Sequence, residues 1–209
     1  MTAELYLASQ SPRRRELLAQ IGVAPQVLSI DIDESRHGDE SAANYVQRLA
    51  QEKAEAGWQL VNSTGLPLWP VLGADTAVVV DGAILGKPID ANDGRAMLQR
   101  LSGRAHEVLT GVALCGPRGV QVSMSRTQVW FGGLSATDIE DYWHSGEPRD
   151  KAGGYGIQGL AAVFIERIEG SYSGVVGLPL FETAALLRAY LFIDCLRSDI
   201  VPGNVQSRV

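Results

Sequence analysis

Residues 71–88 read VLGADTAVVVDGAILGKP, and this stretch decides the fold class. Two runs rich in valine, leucine and isoleucine flank Asp81-Gly82, a pair suited to the two positive φ angles of a type I′ turn, so the segment reads as a β-hairpin. One residue breaks the apolar pattern. A carboxylate such as Asp75 is costly to bury among strand formers, so it lies at an open strand end or is held by a cation, a metal or hydrogen bonds. A two-residue turn sets Thr76 across from Lys87, and a loop one residue longer sets Asp75 there. The pairing is either a structural salt bridge or an acid and ammonium placed for phosphate chemistry.

Working outward, LYLA at 5–8 reads as a strand, and SPRRRELLAQIG as a helix with Ser11 as cap, Pro12 in the first turn and Gly22 as stop. A β-like stretch around Val27–Ile30 precedes the acidic DIDES. A helix of roughly 42–60 follows, in which Val46, Leu49, Ala50 and Lys53 share one face. Residues 62–70, with two prolines and a glycine, read as a loop. Beyond the hairpin, Asp90 caps a helix to about Leu101, and β runs around 105–115 and 120–131 flank GPRG. Ser135 and Asp138 form a capping-box pattern before a short helix ending near Gly146. The rest reads as a glycine-rich loop, a strand over 160–168, a loop over SYSGVVGLPL and an amphipathic helix over 180–196. Interleaved strands and helices predict one mixed α/β domain over residues 1–197, with a tail over 198–209.

A chain of 209 residues that is 45 % apolar and 20 % charged, with a mean hydropathy of +0.01, falls in the globular class. Its net charge of −6 leaves no whole-surface basic field for polymeric nucleic acid. Only Lys53, Lys87 and Lys151 are lysines among the 18 basic residues. Cys115 and Cys195 make neither a disulfide framework nor a zinc spacing. The N-terminus carries no signal pattern and no apolar run is long enough for a membrane span, so the expectation is a cytoplasmic protein without a membrane partner.

Four constellations carry candidate chemistry. Ser9, Ser11, Arg13 and Arg14 stand at a helix N-terminus, where unpaired N–H groups and guanidiniums suit phosphate or carboxylate; a capped helix with solvated arginines is the competing reading. Asp75 with Thr76 and Lys87 is the second. Asp31, Asp33 and Glu34 offer hard oxygen ligands for Mg²⁺ or Mn²⁺ if folded near Asp75, or form an acidic surface loop. The fourth is DKAGGYGIQG at 150–159, where glycines let backbone approach a ligand and Gln158 can pair its amide with a base edge. His37, His106 and His144 are scattered, and no nucleophilic triad is evident.

These residues, together with AQEKA, LSGRAHEVLTGVAL and GSYSGVVGLPLFET, resemble in order the Maf-like nucleoside triphosphate pyrophosphatases from about residue 5 to 190. Within that family, GYGIQG resembles the branch that hydrolyses dTTP and UTP, as opposed to the one that prefers 7-methyl-GTP. The resemblance implies a cytoplasmic, often dimeric, metal-dependent enzyme with a mixed, curved central sheet flanked by helices and two Maf/Ham-like lobes around a cleft. It implies a catalytic set of Asp75, Glu34 and Lys87, with Asp75 and Glu34 as candidate Mg²⁺ or Mn²⁺ ligands. Ser9, Ser11, Arg13, Arg14, Lys53, Thr76 and Gln158 are the expected substrate contacts, with Thr76 and Gln158 reading the pyrimidine. Whether Asp75 acts as base or metal ligand stays open. A nucleotide-binding regulator of septum formation without turnover, or a pyrophosphatase for another modified nucleotide, are the competing readings.

Overall fold

The computed structural model describes residues 4–191. Strand β3 (Val71–Val80) turns through Asp81 and Gly82, with φ of 51° and 71°, into β4 (Ala83–Leu85). Val80 pairs with Ala83 and Val78 with Leu85, the register of a two-residue turn. The other side of β3 is taken by β5 (Ala105–Gly116), from Val71 opposite Cys115 to Val79 opposite Glu107. A second hairpin joins β5 to β6 (Gly119–Phe131), and β7 (Ile165–Glu169) extends the sheet beyond β6. At the far edge β1 (Tyr6–Leu7) runs parallel to β3 at Val71 and Leu72 and parallel to β2 (Gln26–Val27). The order is β2-β1-β3-β5-β6-β7 with β4 on β3, a mixed open sheet.

One consequence of this order positions the site. Strands β1 and β4 share the edge of β3 that β5 leaves open, but β1 ends at Leu7, opposite Leu72, and β4 ends at Leu85, opposite Val78. Among the described residues, 73–77 therefore have no strand beside them on that edge. Successive side chains of a strand point to opposite faces, so Asp75 and Thr76 flank this gap from the two sides of the sheet.

Helix α2 (Ala42–Thr64) covers one face, capped by Ser41, whose side chain accepts from the Asn44 N–H. It lies directly on strand backbone. A Cβ added to Gly111 would overlap the Val46 carbonyl oxygen and come within 2.7 Å of its carbon, and one on Gly73 would overlap the Ala50 carbonyl oxygen and reach 2.7 Å from the Ala54 nitrogen. On the opposite face, Leu72, Ala74, Val112 and Leu114 pack against Leu17 and Leu18 of α1 (Pro12–Gln20) and Leu186, Leu187 and Tyr190 of α6 (Leu180–Leu191). Val78, Val80 and Val108 pack against Met97, Leu98 and Leu101 of α3 (Ala91–Leu101) and Ile139 and Tyr142 of α4 (Ala136–His144). Thr76 and Thr110, paired in register, interrupt the apolar face between these two clusters.

The Asp90 cap and the Ser135–Asp138 capping box form as expected. Four elements differ. The stretch 160–168 is a strand only from Ile165; Leu160–Phe164 winds as a 3-10 turn that buries Ala161, half-buries Phe164 three residues on, and leaves Leu160, Ala162 and Val163 exposed. SYSGVVGLPL contains a short helix, α5 (Tyr172–Val176), capped by the Ser171 hydroxyl, which accepts from the Gly174 N–H at 3.0 Å. Helix α2 runs to Thr64 because the Asn62, Ser63 and Thr64 side chains bond back to the Trp58 and Leu60 carbonyls before Gly65 ends it at φ 70°. The β-like stretch Val27–Ile30 pairs only at Gln26 and Val27. The end of the helix expected over 180–196, Cys195 and the tail over 198–209 lie outside the described residues.

Candidate functional site

The gap in the edge of β3 opens into a cleft of about 910 Å³. Asp75 enters it from the α2 face. Its Oδ1 accepts from Lys53 Nζ at 2.7 Å, and the same ammonium lies 2.7 Å from Glu34 Oε1, so one lysine bridges two carboxylates. Lys53 reaches there because it prolongs the Val46, Leu49, Ala50 face of α2 that lies on Gly73 and Gly111. Among the described residues, Asp75 Oδ2 has no partner, although the residue is only 9 % exposed. Burial pushes the Glu34 carboxyl up, but the Lys53 hydrogen bond and the charges of Lys53, Lys87 and Arg14 outweigh it and hold it below the usual carboxylate range.

The pairing of Lys87 with Asp75 or Thr76 across the hairpin is corrected. The β3–β4 ladder ends at Leu85, and β5 supplies the strand partners of Asp75 and Thr76, which are Gly111 and Thr110. Lys87 lies two residues beyond, exposed, on the cleft wall without a hydrogen bond or ion pair among the described residues, and Lys53 is the cation beside Asp75. Of the three acids in DIDES only Glu34 lines the cleft. The Asp33 carboxylate turns back to accept the Ser35 N–H at 2.8 Å, and Asp31 is exposed away from the cleft lining.

From the other face come α1 and Thr76. Ser11 caps α1 by position but its side chain makes no cap bond, so among the described residues the first-turn N–H groups and the hydroxyl have no partner at the cleft. Arg14 ties three segments together: Nε donates to the Gly177 carbonyl at 2.8 Å, one Nη to Ser9 Oγ at 3.0 Å and the other to Thr76 Oγ1 at 3.5 Å. Burial lowers its pKa, with Asp75 and Glu34 acting in the opposite sense and Arg13 adding to it. Among the described residues, two of its five N–H groups remain uncommitted. Arg13 reaches the far wall, 3.5 Å from Asp150, while Arg15 is exposed outside the lining. Behind Thr76, its hydroxyl lies 3.0 Å from Thr110 Oγ1, which donates to the Gly174 carbonyl at 2.7 Å.

Gln158 stands exposed at the mouth of the cleft on the glycine-rich loop. The loop is built on Glu147, which was not among the expected site residues. Its carboxylate accepts from Tyr142 Oη and from the Leu160 N–H, both at 2.8 Å, and a Cβ on Gly159 would overlap it. Lys151 closes the turn by donating to the Glu147 carbonyl at 2.7 Å and to Asp150 at 2.8 Å. Tyr155 anchors the loop from below, its hydroxyl 2.7 Å from His106 Nε2 with Phe131 packed edge-on.

His106, one of the three scattered histidines, is a core residue of β5. Burial pulls its imidazole down from the ordinary value to about 4. The unfolded chain takes up a proton below about 6.5 and the folded chain does not until about 4. Stability is therefore full above the unfolded value and falls through this window as the pH drops. We expect a loss of roughly 2 kcal/mol between pH 7.5 and pH 5 from this one group. Chemical denaturation of the wild type and of His106→Gln at the two pH values checks it: the variant should lose less by about that amount.

All ten expected site residues, from Ser9 to Gln158, line this one cleft. Two carboxylates with one uncommitted oxygen each fit a Mg²⁺-type ion, which is commonly held by one or two carboxylates with water and substrate phosphates completing its shell. Among the described residues no three His, Cys, Asp or Glu side chains converge as an all-protein cage. No helix among them is long and apolar enough to cross a membrane.

A family model described as Maf-like protein matches residues 4–190. A protein of Chromobacterium violaceum named dTTP/UTP pyrophosphatase is 55 % identical over 188 residues, 90 % of this chain and 95 % of its own. One of Saccharophagus degradans with the same name is 55 % identical over 189 residues, 90 % of each chain. Among solved structures, a nucleoside-triphosphatase / dITP/XTP pyrophosphatase from Mycobacterium abscessus aligns at 21 % identity and a TM-score of 0.43, over 63 % of this chain and 76 % of its own.

Proposed function

Since the chain belongs to the Maf family, we propose that it is a nucleoside triphosphate pyrophosphatase that hydrolyses dTTP and UTP to the monophosphate and pyrophosphate. Beyond the relatives, the observation that carries this reading is the buried Asp75 carboxylate, with a free Oδ2, in a cleft shared with Arg13, Arg14, Lys53 and Lys87.

Hydrolysis between the α- and β-phosphates needs a water in line with the departing pyrophosphate and charge stabilisation on the phosphoryl oxygens. Asp75 Oδ2 accepts a hydrogen bond from that water and takes its proton, while Lys53 fixes the carboxylate through Oδ1. Glu34 shares the ammonium, so neither acid is free to swing away. Arg13, Lys87, the free N–H groups of Arg14 and the first-turn N–H groups of α1 hold the phosphates, with Ser9 and Ser11 as hydroxyl contacts. Thr76 and Gln158 face the base. Glu34 is the residue that would hold a divalent cation while Asp75 Oδ2 serves the water; with Asp75 as a ligand instead, the two carboxylates would hold it together, and the cation would supply Lewis-acid neutralisation of phosphate charge.

The test is pyrophosphate release from a panel of dTTP, UTP, CTP, GTP and 7-methyl-GTP with Mg²⁺ or Mn²⁺. The expected profile is turnover of dTTP and UTP well above the rest. Binding without release on any member would support a regulatory nucleotide sensor instead, and preferential release from 7-methyl-GTP would move the chain to the other branch.

A further inference from the structure

A hydroxyl has one hydrogen to give and two lone pairs to receive with, so a chain of hydroxyls ending on a carbonyl has a defined direction. Such a chain lies behind the cleft. The Gly174 carbonyl can only accept, so the single hydrogen of Thr110, at 2.7 Å from it, is spent there. Thr110 Oγ1, 3.0 Å from Thr76 Oγ1, can then only accept from Thr76, and the Thr76 hydrogen is spent in turn. On the remaining side of Thr76 Oγ1 an Arg14 Nη hydrogen at 3.5 Å occupies one lone pair. What Thr76 presents to the cleft is a single lone pair.

We infer that Thr110 is a specificity-positioning residue: by holding the Thr76 hydroxyl as an acceptor only, it makes this point of the cleft take a ligand N–H and refuse a second acceptor. A phosphate oxygen, itself an acceptor, gains nothing at such an atom, whereas an N–H of a base does. The pyrimidines divide on this property. Uracil and thymine carry an N–H at ring position 3, where cytosine carries a bare nitrogen lone pair. A hydroxyl free to rotate would serve either; one locked from behind pairs with the N–H and sets two lone pairs against each other with cytosine.

The lock is itself well held. Thr110 is fully buried, and the carbonyl it bonds also accepts the Gly177 N–H at 3.0 Å in the turn after α5, whose cap is Ser171. Without the Thr110 hydroxyl, Thr76 would have no acceptor behind it and its hydrogen would turn to the cleft. The inference rests on the pyrimidine triphosphate reading above and adds the atom that discriminates.

The experiment compares kcat/KM for UTP and CTP in the wild type, in Thr110→Val, which keeps the shape and removes the hydroxyl, and in Thr110→Ser, which restores it. The wild type should favour UTP, the ratio should fall by about tenfold or more in the valine variant, and serine should return it to near the wild-type value. If Thr110→Val does not fold, Thr110→Ala carries the same expectation. A merely structural Thr110 would lower both substrates together, and an unchanged ratio in a folded variant overturns the inference. So does a wild type that cleaves CTP as readily as UTP. A wild type that releases pyrophosphate from neither dTTP nor UTP removes the functional reading itself, which separates the two failures.

Discussion

Asp75→Asn is expected to reduce kcat for pyrophosphate release from dTTP by roughly 10³-fold, the range typical for loss of a positioned general base. Asparagine has the size of aspartate and its carbonyl can still accept from Lys53, so the loss is one of basicity and charge, not of shape. The Glu34–Lys53 contact at 2.7 Å survives, which keeps the ammonium paired. KM should therefore move much less than kcat. Initial rates by a coupled pyrophosphate assay, with a melting curve for each protein, decide the matter: a folded variant turning over at the wild-type rate would remove Asp75 from the catalytic role.

The second large effect is on the fold and reaches the site through it. Gly111→Ala should cost roughly 3 kcal/mol or more, because the added carbon meets backbone of α2 at Val46 and not the yielding end of a side chain. For a domain of this size that corresponds to a fall of about 6–12 °C in melting temperature. Gly111 lies directly across from Asp75 in the ladder, and α2 carries the lysine that bridges Asp75 and Glu34. Pushing the helix outward lengthens that bridge, so turnover at a temperature where the variant is folded should fall as well. Gly133→Ala is the control, since a Cβ there meets nothing within 4 Å, and its melting temperature should stay within about 2 °C of the wild type.

The central hairpin was legible because Asp81-Gly82 is a local signal, needing only two positive φ angles that the backbone indeed adopts. Caps at Asp90 and Ser135 were legible for the same reason. Lys53 was legible as the charged member of an apolar helical face, but not its partner. The choice between Lys53 and Lys87 beside Asp75 depends on which strand fills the other side of β3, and that strand begins 24 residues after the hairpin turn residue Asp81. Leu160–Phe164 misled because its hydrophobicity suits a strand while its burial, at Ala161 and in part at Phe164, is spaced by three residues and not by the two of a strand. Thr110 and Glu147 gave only faint signals, a hydroxyl in an apolar strand and an acid before a glycine loop; their partners, Gly174 and Leu160, are 64 and 13 residues away.

The interruption between β1 and β4 has a bearing on how such a protein can change. In the proposed reading, a nucleotide seated across that bare edge meets Asp75 on one side of the sheet and Thr76 on the other, one peptide apart. Lys53 and Glu34 stand behind the first and Thr110 behind the second, and these two supports share no side chain. Hydrolysis and choice of base are thereby held by separate supports on a common strand. Sequence drift behind Thr76 can redirect the protein to a different nucleotide while the water-activating acid stays untouched, which lets one scaffold yield sister enzymes that differ in diet and not in chemistry.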